Sequence, residues 1–214
     1  LNRYSDRPCL LIGDTVLTYA EIRSLTSRLV QALQSKGLRQ GSRIAVISGN
    51  RPEVLANIAA MQITGCCGTP LHPLGSLDDH AYVMEDAGID TLIYDPAGFE
   101  QRAAELKQRL PDLKNLLAFG PSTAGADYLA LAAGFEPRAL VAPTVLPGDL
   151  SSINYTGGTT GKPKGVMMSY RASAYMAMIQ MAEWEFPEEL RMMICTPLSH
   201  AAAAFFVPVL QRGG

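Results

Sequence analysis

The sequence has little of what marks the more specialised protein classes. Its four cysteines, Cys9, Cys66, Cys67 and Cys195, form no Cys-x-x-Cys pair. Adjacent residues such as Cys66 and Cys67 do not readily bond to each other, so neither a zinc site nor a disulfide framework is indicated, and the four read as reduced, buried thiols. No charge of one sign dominates: 18 basic against 20 acidic residues leave a formal charge of -2. That balance gives no general electrostatic drive toward nucleic acid or anionic membrane, and it makes any phosphate binding a local matter. The longest uncharged stretch near the end, residues 201–210, contains Pro208 and is too short to span a bilayer. No signal-peptide pattern opens the chain, so a cytoplasmic location is the expectation. Internal repeats and low-complexity tracts are missing as well. What is present is a chain of 214 residues with 48% hydrophobic and 18% charged side chains, enough for a substantial soluble core.

Helical and extended patterns alternate along that chain. Thr18 and Glu21 form a capping box, Ile22, Leu25, Leu29 and Leu33 follow at helical spacing, and Gly37 is the stop signal. Residues 44–48 form an apolar run suited to a buried strand, and Asn50 with Glu53 marks the start of a helix that ends at Gly65. Strands are then expected at 66–71, 91–94 and 115–119, with helices at 76–88 and 99–110 between them. Strands spaced by helices imply right-handed crossovers, hence an α/β fold with mainly parallel sheets flanked by helices. Residues 120–148 are rich in glycine and proline with little periodicity, so they read as a surface connection, with one short helix near 127–133 and room for a subdomain boundary. Beyond it, a methionine-rich helix at 171–184, a strand at 192–195 and a helix at 200–210 are expected. The helical apolar stripe Tyr175, Met176, Met178, Met181 and Trp184 reads as core, the usual fate of such a stripe.

The strongest chemical signal is the run Tyr155 to Val166, YTGGTTGKPKGV. Its glycines let backbone N–H groups approach a ligand closely, while its threonine hydroxyls and lysine ammoniums are donors suited to an anionic polyphosphate. A Walker loop is excluded, because Thr156 stands where its first glycine belongs and Pro163 follows Lys162. The dinucleotide fingerprint is excluded too, since Thr159 stands two after Gly157 and a strand follows the run. The apolar stretches 150–155 and 166–168 on either side suggest that the run joins two strands.

This run resembles the phosphate-binding signature of the adenylate-forming superfamily, which contains acyl- and aryl-CoA synthetases, peptide-synthetase adenylation domains and luciferases. Three further stretches resemble that family's motifs in the expected order: LTYAEI at 17–22, ITGCCGTPLHP at 63–73 and PLSH at 197–200. The resemblance covers nearly the whole chain. It implies that residues 1–214 are the N-terminal portion of an AMP-binding adenylating domain, cut before the small C-terminal domain, and that the fragment alone is inactive. It also implies ATP, a carboxylic acid and CoA as substrates, Mg2+ as cofactor, and a fatty or other apolar acid as the acid activated. In this pattern Lys164 is the matched phosphate lysine and Lys162 the variable one. Thr156, Gly157, Gly158, Thr159, Thr160, Gly161, Lys162, Pro163 and Lys164 line the nucleotide, Thr156 or Thr160 offers a hydroxyl to the metal, and His200 lies at the carboxylate end. Ser199 and Ala203 depart from the family's usual residues beside that histidine. Two other readings stay open: an enzyme that loads a carrier protein instead of CoA, and a non-catalytic nucleotide-binding homologue. His72 and His80 receive no role, and nucleic acid is not an expected partner.

Overall fold

The computed structural model describes residues 1–156, 162–199 and 201–214. A hairpin comes first: β1 (Pro8–Ile12) and β2 (Thr15–Thr18) pair antiparallel around Gly13 and Asp14. Gly13 has φ of 56°, the left-handed conformation that a two-residue hairpin turn demands and that glycine adopts without a side-chain clash. Thr18 then caps α1 (Tyr19–Ser35). Its hydroxyl accepts from the Glu21 amide, while the Glu21 carboxylate accepts from the Thr18 amide at 2.7 Å, so the expected capping box is present.

The chain continues through β3 (Arg43–Ile47), α2 (Pro52–Thr64), β4 (Cys67–Pro70), α3 (Leu77–Asp86), β5 (Thr91–Tyr94), α4 (Pro96–Arg109), β6 (Asn115–Ala118), β7 (Ala126–Asp127) and α5 (Tyr128–Ala133). It then forms β8 (Leu150–Thr156), β9 (Lys164–Ser169), α6 (Tyr170–Glu183) and α7 (Phe206–Arg212). Among the described residues, seven strands make one sheet in the order β7-β6-β5-β3-β4-β8-β9. Every neighbouring pair is parallel except β8 and β9, which are antiparallel. The expected α/β architecture, a mainly parallel sheet with helices on its faces, is the one observed.

Alternation along the central strands sorts the core into two layers. Ile44 and Val46 of β3 point with Ile93 toward α1, α2 and α5, where they meet Leu29, Leu33, Leu55 and Tyr128. Ala45 and Ile47 point the other way, with Leu92, toward Met84 of α3 and Leu106 of α4. Leu198, Ala202 and Phe206 join the first layer, so the C-terminal segment lies on the α1–α2 face. Its end is tied down by the Tyr19 hydroxyl, which donates to the Gly214 carbonyl at 2.7 Å.

Several local expectations are corrected. Asn50 does not cap α2; Arg51 is the N-cap residue, with no side-chain capping bond, and Pro52 sits at the first helical position. α4 starts before Phe99, because Asp95 accepts from the Ala97 amide and Pro96 pre-sets the first turn. Residues 192–195 alternate between half-buried and exposed as an extended segment would, yet no strand forms there. None of the described strands pairs with them, and a strand exists only through a partner's backbone groups. The expected helix at 200–210 is split into a 3-10 turn, Ala201–Phe205, and α7, with Pro208 in the first turn, where its missing N–H costs no internal bond. Cys195 is exposed, unlike the other three cysteines. Tyr175, Met176, Met178 and Trp184 are exposed rather than core; only the Trp184 ring among them has an aromatic neighbour on another described element, Phe205, at 5.4 Å between centroids. Hairpin β1–β2 and the short β7 had no counterpart in the sequence reading.

Candidate functional site

In a doubly wound sheet, ligands bind beyond the carboxyl ends of the strands where neighbouring connections run in opposite directions. Here that point lies between β3 and β5: the chain passes from β3 to β4 on one side, and from β5 to β6 on the other. The crevice is closed by charge. Arg51, just after β3, is paired with Asp95, just after β5, at 2.7 Å and with Glu53 at 3.1 Å. Its guanidinium also lies over the Phe119 ring at 5.8 Å.

The glycine-rich run opens from the same carboxyl edge, two strands away. β8 is parallel to β4, so its last residue, Thr156, emerges on the edge where Asn50, Arg51 and Asp95 stand. β9 returns antiparallel, with Tyr155 opposite Gly165 and Thr156 opposite Lys164. The run therefore joins two strands, as expected, and its two ends bring a hydroxyl and an ammonium group to facing positions. Gly157, Gly158, Thr159, Thr160 and Gly161 lie outside the described residues, as does His200. Pro163 is half-buried, and Lys162 and Lys164 are exposed.

Side chains of α3 hold the base of this hairpin. The Lys162 ammonium lies over the Tyr82 ring, 4.9 Å from its centroid, a cation–π contact. The Tyr155 hydroxyl donates to the Asp86 carboxylate. Burial, then the bond to Asp86, holds that phenol well above its ordinary pKa, so it remains a donor. Gly165 is required by the close approach: a Cβ there would stand 2.8 Å from Ile153 Cγ2 and 3.0 Å from Tyr155 Cζ. At the other end of the hairpin the Tyr170 hydroxyl donates to the Gln62 and Cys66 carbonyls, at 3.2 and 3.3 Å. Tyr82 and Asp86 were missed by the sequence reading. Nothing in a helical pattern tells which exposed side chains reach a loop distant in the chain.

Across the whole of residues 1–214, the sequence matches the model of the family described as AMP-binding enzyme. The chain belongs to that family. Among curated AMP-binding enzymes, it is similar to the medium/long-chain-fatty-acid–CoA ligase FadD8 of Mycobacterium tuberculosis, with 45% identity over all of this chain and 38% of the relative. It is also 30% identical to a feruloyl-CoA synthase of an Amycolatopsis species, over 94% of this chain and 38% of that protein. The chain thus spans about two fifths of the length of these relatives. Among solved structures, an amide bond synthetase, McbA of Marinactinospora thermotolerans, superposes with a TM-score of 0.83 at 27% identity, over 94% of this chain and 40% of that one. An anthranilate CoA ligase, AuaEII, shares the fold at a TM-score of 0.87 and 19% identity, over 97% of this chain and 41% of that one.

Two groups elsewhere in the chain are accounted for structurally. His80 is buried; its Nδ1 faces the Arg102 guanidinium at 2.7 Å, which leaves Nε2 to donate to the His72 carbonyl at 2.8 Å. Burial holds this imidazole below its ordinary pKa, and Arg102 adds to the effect. Cys66 is likewise a packing residue, its thiol pushed up to about 12 by burial, far from a reactive thiolate. Among the described residues no helix is long and apolar enough to cross a membrane.

Proposed function

We propose that the protein containing this chain activates a carboxylic acid with ATP and passes the acyl group to CoA, with a medium- or long-chain fatty acid as substrate. The observation that carries this reading is the 45% identity, over the entire chain, to a fatty-acid–CoA ligase. The facing positions of Thr156 and Lys164 at the carboxyl edge support it. In the first step a carboxylate oxygen attacks the α-phosphorus of ATP, and the bond from that phosphorus to the bridging oxygen breaks with its electrons leaving on pyrophosphate. Negative charge builds on the leaving group. The Thr156 hydroxyl and the Lys164 ammonium donate to it, with the hydroxyls of Thr159 and Thr160 and the amides of Gly157, Gly158 and Gly161 as further donors. Lys162 steadies the loop through Tyr82 at its outer side. His200 acts at the carboxylate end. In the second step the CoA sulfur bonds to the acyl carbon, and AMP leaves.

Magnesium, if bound, would supply positive charge to offset that of the phosphates. No group of three or more His, Cys, Asp or Glu side chains gathers to hold a metal among the described residues. Thr156 or Thr160 would offer it one hydroxyl ligand from this chain. We read the location as cytoplasmic. A carrier protein as acceptor is the second reading, favoured by 28% identity over 168 residues to a linear gramicidin synthase subunit of Brevibacillus parabrevis.

ATP–pyrophosphate exchange, run on a form of the protein extended to the length of its relatives, tests the reaction across a panel of acids. Exchange is expected with fatty acids, and Lys164→Ala is expected to lower it at least about tenfold, or about 1.4 kcal/mol of transition-state stabilisation. The 214-residue chain alone is expected to give none. ATP binding without exchange on any acid would replace this reading with a non-catalytic nucleotide-binding protein, and release of the acyl group only to a carrier protein would replace CoA as acceptor.

A further inference from the structure

We propose that Asn50 is a positioning residue that fixes the segment leading to His200, and through it the reactivity of the bound carboxylate. Its primary amide makes two main-chain bonds at once: Nδ2 donates to the Thr196 carbonyl at 3.0 Å, and Oδ1 accepts from the Leu198 amide at 2.9 Å. These groups flank Pro197, which has no N–H of its own, so the side chain satisfies the segment as a neighbouring strand would. Residues 192–199 have no strand partner among the described residues, and Asn50 takes that place at one point.

Both ends of the clamp are well anchored. Asn50 follows β3, at the centre of the sheet, and precedes Arg51, which is held by Asp95 and Glu53. Leu198 is buried in the layer that also contains Ala202 and Phe206. His200 follows Leu198 by two residues, and the clamp stands on the edge from which the β8–β9 hairpin opens.

The geometry also explains a failed local rule. Asn50 and Glu53 have the spacing of a capping pair, yet the N-cap of α2 is Arg51 and makes no side-chain cap. An asparagine withheld from its own helix to bind a segment nearly 150 residues away marks a position chosen for something other than local stability.

The inference rests on the proposed adenylation reaction, and the test separates the two. In the extended protein, Asn50→Asp keeps the acceptor for Leu198, loses the donor and sets a carboxylate against the Thr196 carbonyl. The expected result is a fall of at least about tenfold in kcat/KM for the acid, a change of less than about twofold in KM for ATP, and an unchanged Tm. In Asn50→Ala, the Leu198 amide is expected to exchange with deuterium at least about tenfold faster. Unaltered kinetics in Asn50→Asp, or an equal effect on the ATP and acid constants, overturns the positioning role. Unaltered exchange at Leu198 overturns the clamp itself, whether or not the protein turns over. A wild-type protein without exchange of pyrophosphate on any acid overturns the reaction and the kinetic half of this proposal together.

Discussion

β5 and β9 are strands of one sheet and meet opposite fates. All four residues of β5 are buried, whereas the first four of β9 are exposed, although β9 carries Val166, Met167 and Met168. Composition does not separate them; position in the strand order does. β5 lies between β6 and β3 with helices on both faces, while β9, among the described residues, ends the strand order with β8 as its one neighbour. α6 continues the contrast, exposing Tyr175, Met178 and Ile179. The sheet centre is thus a scaffold held by packing, and the hairpin carrying Thr156 and Lys164 is held by a few specific side chains. α3 links the two regions: Val83 and Met84 are buried in the scaffold, while Tyr82 and Asp86 reach the hairpin. The proposed phosphate donors Thr156 and Lys164 are exposed on that less packed side.

The contrast is broken most directly by one pair of truncations in the 214-residue chain. Ile93→Ala, at a position with 0% exposure, is expected to cost about 2–5 kcal/mol in urea unfolding. Met167→Ala, at 70% exposure, should stay within about 0.5 kcal/mol; similar costs at both sites would erase the distinction. Gly165→Val tests a closely packed point of the hairpin. Its side chain would meet Ile153 and Tyr155, and the expected cost is about 1–3 kcal/mol by the same measurement.

The linking helix has its own pH signature. His80 has its folded-state pKa below the unfolded value, because burial and Arg102 oppose its protonation more strongly than the His72 carbonyl and Asp79 favour it. The unfolded chain therefore binds the extra proton first, and stability is full above the unfolded pKa, about 6.5. It falls as pH drops below that value and levels off once the folded-state pKa is passed. Urea midpoints from pH 7.5 to 5 should show this loss, at no more than about 1.4 kcal/mol per pH unit for one proton. His80→Gln should flatten that component of the slope. The smallest effect is expected at Tyr82. Tyr82→Leu keeps an apolar side chain and removes the ring under Lys162, which should weaken ATP binding in the extended protein by about 0.5–1 kcal/mol, seen by titration calorimetry with stability little changed.

Much of the scaffold was legible. β5 matches its expected bounds, 91–94, because it is a short apolar run between turn signals, and α1 begins where its capping box says. The extent of α4 was misjudged because the Asp95–Pro96 start was overlooked, although its signal was in the sequence. The strand expected at 192–195 failed for a different reason: alternation reports which side faces the core, not whether a partner strand lies alongside. The ends of the candidate site were legible in the same partial way. Thr156, Lys162, Pro163 and Lys164 stand together around the hairpin, while Gly157 to Gly161 and His200 lie outside the described residues. Asn50 was seen in the sequence and given the wrong partner, since local spacing offers it Glu53 and only the folded chain offers it Thr196 and Leu198.

By itself the sequence determined the alternation of strands and helices, the two-sided burial of the central strands and the chemistry of the run from Thr156 to Lys164. These depend on residue type and spacing within a few turns, where backbone geometry and hydrophobic burial act locally. The tertiary structure alone decided that β8 joins β4, that Arg51 and Asp95 close the crevice between β3 and β5, and that α3 braces the hairpin. It alone decided that Asn50 serves residues 196–198 instead of its own helix. Each of these depends on groups brought together across the folded chain, and such hydrogen bonds and ion pairs carry no trace in the order of residues.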